Sequence, residues 1–172
     1  MSSLATALGL SATGLHSHQP PSYGAHYMIF HFIWAYVVLS SRAWKIHYKL
    51  DHNVSPRDDL IKYGPIAVQK GKITQPLLDQ IRRVENCHAN SVEHYTVFVA
   101  AIIFAHVAGV DNAAINRVGL SYTVARVLYS ASYIFNGNER LALARGVFWW
   151  ASNIICIRAF WLAGKVMNAK LV

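Results

Sequence analysis

Residues 82–97 are charged and rich in amides, yet they run without a break into Phe98–Val110, which is almost wholly apolar. No Gly or Pro interrupts residues 82–108. A continuous helix carries such a sequence, because a helix satisfies its backbone hydrogen bonds within its own segment even in apolar surroundings. On that helix Arg83, Asn86, Asn90 and Glu93 fall at i, i+3, i+7 and i+10 and share one stripe. A polar stripe that enters an apolar segment needs partners or a ligand.

Three further apolar stretches accompany it. The first is Tyr27–Ala43, continuing helically through Trp44–Leu50 with Lys45 and Lys49 at its end. The helix bearing the stripe begins near Pro76, a residue suited to a first turn, and ends at Gly109. Asp111 or Asn112 caps the next, which runs to about Phe135, with Gly137 placed as its C-cap. The last covers Glu139–Asn168. At ~1.5 Å per residue each reaches the ~30 Å of a bilayer core. Of the 172 residues 54% are hydrophobic and 14% charged, well under the about 25% charged typical of soluble domains. The expected fold is all-α, an integral membrane four-helix bundle over residues 25–168. A flexible tail, residues 1–24, precedes it, and residues 51–75 form a long polar loop. The tail has no Lys or Arg and so lacks the basic start of a secretory signal.

The net charge of +8 does not indicate nucleic acid, because the basic residues are not clustered with stacking aromatics. They flank the apolar segments instead. Lys45, Lys49, Arg57, Lys62, Lys70, Lys72, Arg82 and Arg83 surround the first loop, and Arg140 and Arg145 follow the third segment. The positive-inside rule puts those connections in the cytosol. Cys87 and Cys156 form no CxxC, and the nine histidines give no metal-ligand pattern beyond the weak pair His16 and His18 in the tail. No metal site is expected.

Topology then brings the polar residues together. On the third helix Tyr122, Arg126, Tyr129 and Tyr133 fall at i, i+4, i+7 and i+11, a second stripe. Arg140 follows at the start of the fourth helix. A charged group inside the bilayer costs about 2.5–3.5 kcal/mol on the translocon scale, so Glu93 and Arg126 need partners, most simply each other. A buried structural pair satisfies that need. So does a pocket for a charged ligand, and the number of donors among Arg83, Asn90, Glu93, Arg126, Tyr129, Tyr133 and Arg140 favours a pocket for an anion.

The run Arg83-x4-His88-x-Asn90-x2-Glu93, followed by an apolar half-helix ending Ala108-Gly109, resembles the second-helix signature of the MAPEG superfamily, membrane-associated proteins of eicosanoid and glutathione metabolism. Arg126-x2-Tyr129-x3-Tyr133-x6-Arg140 is similar to the third-helix run of its leukotriene-synthase members. The resemblance covers roughly residues 27–167. It implies a homotrimer in the endoplasmic reticulum membrane, with glutathione bound between subunits near the cytosolic face and a lipophilic substrate arriving through lipid. Asn90 and Glu93 would hold the γ-glutamyl end, Arg83 the charged groups, and Tyr129 and Tyr133 would line the peptide. His88 stands where members carry His or Gln. Arg126 belongs to the same lining, and Arg140, with Tyr133, would stabilise the reacting thiolate. The implied activity is that of a glutathione-dependent transferase, peroxidase or isomerase; a non-catalytic lipid-binding scaffold of the same fold is the alternative. One position departs from the pattern. Asn86 stands where active members carry an Arg that binds glutathione, with Arg82, Lys45 or Lys49 as replacement cations.

Overall fold

A computed structural model describes residues 4–11 and 20–170, with residues 139–141 described by their backbone alone. Secondary structure among the described residues is entirely helical. A short α1 (Leu4–Ala7) is followed by α2 (Gly24–Ile33), which passes directly into a π-helical segment, Trp34–Val38. Next come α3 (Arg42–His47), α4 (Asp59–Lys62), α5 (Gly64–Gln69) and the three long helices α6 (Gln75–Ala108), α7 (Asn112–Phe135) and α8 (Glu139–Ala169). The long helices pack together, and α2 with the π segment lies against α6 and α7. Two segments, Gln75–Ala108 and Ala142–Ala169, are long and apolar enough to cross a membrane.

Local sequence explains where the long helices begin and end. The Thr74 hydroxyl accepts from the Leu77 amide, and Pro76 occupies the first turn of α6. At the other end Gly109 takes a left-handed conformation (φ 80°) that a side chain would strain. Two residues later the Asp111 carboxylate accepts from the Ala114 amide and starts α7. The expected glycine cap at Gly137 is not used. Instead α7 stops at Asn136 in an extended conformation, and the Asn136 side chain accepts from the Asn138 amide.

Two other expectations are corrected. The first apolar stretch is not one helix through Leu50. It widens into the π segment and breaks at Leu39–Ser41 before α3 restarts. A carbonyl freed by that widening, Ala35 O, accepts a hydrogen bond from His88 Nδ1 on α6 at 2.8 Å, so a long-range partner stabilises what local propensity would not. The polar stretch 51–75 is no extended loop either. It folds into α4 and α5, whose Leu60 and Ala67 bury against Leu50, Ile73, Leu78 and Ile81 to make a small core of their own. Burying a side chain such as Leu60 stabilises by about 1.5–3 kcal/mol. We refer to this unit as the cap.

The cap is also locked by charge. Lys45, only 4% exposed, reaches from α3 to the fully buried Asp59 at 3.5 Å and to Glu85 of α6 at 3.4 Å, and it donates to the Pro56 carbonyl. His52 approaches Asp59 from the other side at 3.2 Å and stacks on Tyr63. On the cap surface a hydrogen bond from Lys62 holds the Asp58 carboxyl below its usual range.

At the opposite end the core is formed by Phe98, Ala101, Ile102 and Ala105 of α6, Tyr122 of α7, and Cys156, Ala159 and Ala163 of α8. The alanines at i, i+4 spacing on α6 and α8 let those backbones approach closely. Part of the expected tail is anchored here. Asn116 of α7 is fully buried; it donates to the carbonyls of Gly9 and Pro21 and accepts from the Tyr23 amide. His16 and His18 lie outside the described residues.

Candidate functional site

The two polar stripes do not face each other. Helical geometry gives the reason: the buried arc of α6 is Val84, Cys87, Ser91, His94 and Phe98, and at 3.6 residues per turn the Arg83–Asn86–Asn90–Glu93 stripe, one residue earlier at each step, is rotated from it by roughly 100°. On α7 the stripe and the buried face coincide, since Tyr122, Arg126 and Tyr129 are all buried. The structure therefore divides the expected site into an inner group, between α6, α7 and α8, and an outer group on the exposed side of α6.

The inner group is largely paired within itself, although Arg126 Nη1 and His94 Nε2 are buried without a hydrogen-bond partner among the described residues. Arg126, 2% exposed, donates to Ser91 Oγ at 2.9 Å and to the Asn90 carbonyl at 3.4 Å, and its guanidinium lies 4.3 Å above the Tyr129 ring. Its expected partner Glu93 is exposed on the other side of α6, so the Glu93–Arg126 pair does not form. Tyr122 pairs with a different neighbour, its hydroxyl lying 2.9 Å from His94 Nδ1. Tyr133 is half-buried, edge-on to Tyr129, with the Arg145 guanidinium 4.4 Å from its ring centre. Arg140 lies in the first turn of α8, and its side chain is outside the described residues.

Arg145 is a residue whose contact the sequence reading missed. It was legible only as one of the basic residues after the third segment. Its placement over Tyr133 depends on α8 folding back antiparallel to α7, which no local pattern specifies.

The outer group lines a cleft of about 760 Å³ between α6, α3 and the cap. Asn86, His88 and Glu93 are on its α6 wall; Arg42, Lys45, Arg57 and Arg82 contribute the basic side chains. Asn90 stands beside it, its side chain donating back to the Asn86 carbonyl. Arg83 does not line it and instead straps α6 to the end of α7 by donating to the Ile134 carbonyl at 3.2 Å. Three of the cleft's cations are already engaged. Arg42 bonds Asp51 and Asn53, Arg82 bonds Asp79 and the Leu60 carbonyl, and Lys45 holds the cap. Arg57 has no polar partner among the described residues, nor has the carboxylate of Glu93. Of the replacement cations expected for Asn86, Lys45 and Arg82 reach this cleft and Lys49 does not. Arg57 was counted in sequence only as a flanking charge, because nothing there shows that the cap returns it to α6.

An open cleft with a free cation, a free carboxylate and the Asn86 amide suits a small ligand carrying both acidic and amino groups. The MAPEG family model matches residues 22–165, which takes in the cleft, the inner group, all of α6 and α7 and most of α8. The chain belongs to the MAPEG family. No curated protein and no solved structure matches it. Membership puts this MAPEG protein among membrane proteins related to glutathione transferases and synthases. Among the described residues no group of His, Cys, Asp and Glu could hold a metal ion.

Proposed function

We propose that this MAPEG protein is a glutathione-dependent membrane enzyme, working as a homotrimer of four-span subunits in the endoplasmic reticulum membrane with its cap in the cytosol. The observation that carries the reading is the cleft, which Arg57, Glu93 and Asn86 line together, the first two without a side-chain polar partner among the described residues. Glutathione has carboxylates for the first and an ammonium for the second. Arg57, assisted by Arg82, supplies the cation missing at position 86. The basic cap and the basic start of α8, with Arg140 and Arg145, support the cytosolic orientation.

In this reading the outer face of α6 meets a neighbouring subunit, which brings that subunit's polar residues to the cleft. The nucleophile is the thiolate rather than the thiol, and a permanent cation lowers the thiol pKa. Arg140 takes that role, with Tyr133 directed to the same sulfur and Arg145 fixing the Tyr133 ring. The thiolate attacks an electrophilic carbon of a lipophilic substrate: a C–S bond forms, and the electron pair of the breaking bond leaves with oxygen or another acceptor. Holding both reactants in place supplies much of the rate.

Asn86 favours a second reading, a lipid-binding scaffold that does not use glutathione. Titrating the purified protein in detergent with glutathione, and following thiolate absorbance in the ultraviolet, separates the two. Saturable thiolate formation supports the enzyme. No binding at millimolar glutathione leaves the scaffold.

A further inference from the structure

A second groove, of about 550 Å³, lies between α7 and α8 on the side of the bundle away from the cap. Its floor is apolar, from Val118, Ile155 and Leu162, and Arg117 and Arg158 stand in it with Ser121. Both arginines are exposed, and neither has a hydrogen-bond or ion-pair partner among the described residues. The antiparallel pairing of α7 and α8 puts them at one level, roughly 9 Å along α7 from its cap Asp111.

Arg158 lies inside the segment Ala142–Ala169, which is long and apolar enough to span a bilayer. A guanidinium at such a position is stabilised only where an anion or water reaches it, or where its stem snorkels to the interface. No acidic side chain of the chain is free there. Of its eight acidic residues, Asp111 alone lies at the Arg117 level or beyond it toward the start of α7, and its carboxylate already caps that helix. A second copy lying parallel to the first in the membrane brings the same side chains to that level, and so the same deficit. The partner is therefore external.

We propose that this groove binds an anionic phospholipid of the leaflet opposite the cap, its phosphate held between Arg117 and Arg158 and an acyl chain laid along Val118, Ile155 and Leu162. Paired guanidinium groups suit a phosphate because each presents a planar fork of donors. The apolar floor makes a diacyl lipid the occupant rather than a soluble phosphate. The site is separate from the glutathione cleft, so it stands or falls apart from that reading.

The test is native mass spectrometry of the full chain in detergent, titrated with phosphatidylglycerol, with phosphatidylcholine of the same chains, and with inorganic phosphate. Two cations near a headgroup give a preference for the anionic lipid of roughly tenfold or more. Replacing both arginines (Arg117→Gln with Arg158→Gln) removes that preference. Ser121→Trp, which leaves both guanidinium groups in place and narrows the groove, weakens lipid retention as well. Equal retention of the two lipids, a preference that survives the double substitution, or phosphate binding as tightly as the lipid would each overturn the proposal.

Discussion

Arg126 donates to the Ser91 hydroxyl at 2.9 Å across the α6–α7 interface, and Glu93, two residues from that serine, points the opposite way. The contact fixes the rotation of α6. It turns the buried arc toward α7 and leaves Asn86 and Glu93 facing the cleft. Ser91→Ala removes a partner from a buried guanidinium and should destabilise the protein by about 1–3 kcal/mol. Glu93→Gln, at an exposed site, should change stability by less than about 0.5 kcal/mol. Thermal unfolding in one detergent compares the two; equal losses would restore the Glu93–Arg126 pair that the stripes suggested.

Lys45 and Asp59 are almost wholly excluded from solvent. Taking away Lys45 leaves the buried Asp59 carboxylate with His52 as its remaining neighbour, so Lys45→Met should cost about 3–5 kcal/mol, while Lys45→Met combined with Asp59→Leu should recover most of it. Limited proteolysis within residues 51–74 reads the effect directly. The single variant is cut faster than wild type and the double variant is not.

At Gly119 the Tyr27 ring of α2 lies against the α7 backbone. A methyl group there meets the Tyr27 ring, so Gly119→Ala should destabilise by about 1–3 kcal/mol through overpacking. Gly137 has open space around the same position, and Gly137→Ala should be neutral. Their relative unfolding temperatures check both statements.

If the proposed chemistry holds, Arg140→Leu abolishes the thiolate absorbance of bound glutathione while the trimer persists in size-exclusion chromatography. Arg57→Gln should act differently, weakening glutathione binding roughly tenfold by removing one charge-assisted contact and leaving the absorbance at saturation unchanged. An unaltered thiolate signal in Arg140→Leu would remove that residue from the mechanism.

Much of this protein was legible from residue order. Pro76, Gly109 and Asp111 mark helix ends through backbone chemistry that acts within a few residues, so α6 and α7 fall where their caps place them. The unbroken apolar runs predict long helices, and the Asn90–Glu93 and Tyr129–Tyr133 spacings carry the family resemblance. Tertiary structure decided which way those spacings point. A helix repeat says that Arg83 and Glu93 share a face but not what that face meets, because the rotation of α6 is set by Ser91, Arg126 and the alanine contacts with α8. The cap has the same cause: its polar sequence folds because Leu60 and Ala67 bury against Leu78 and Ile81 of α6 and because Lys45 of α3 joins Asp59 to Glu85. Arg57 therefore reads as one more flanking charge in the sequence and comes to line one cleft with Asn86 only because the cap packs on α6.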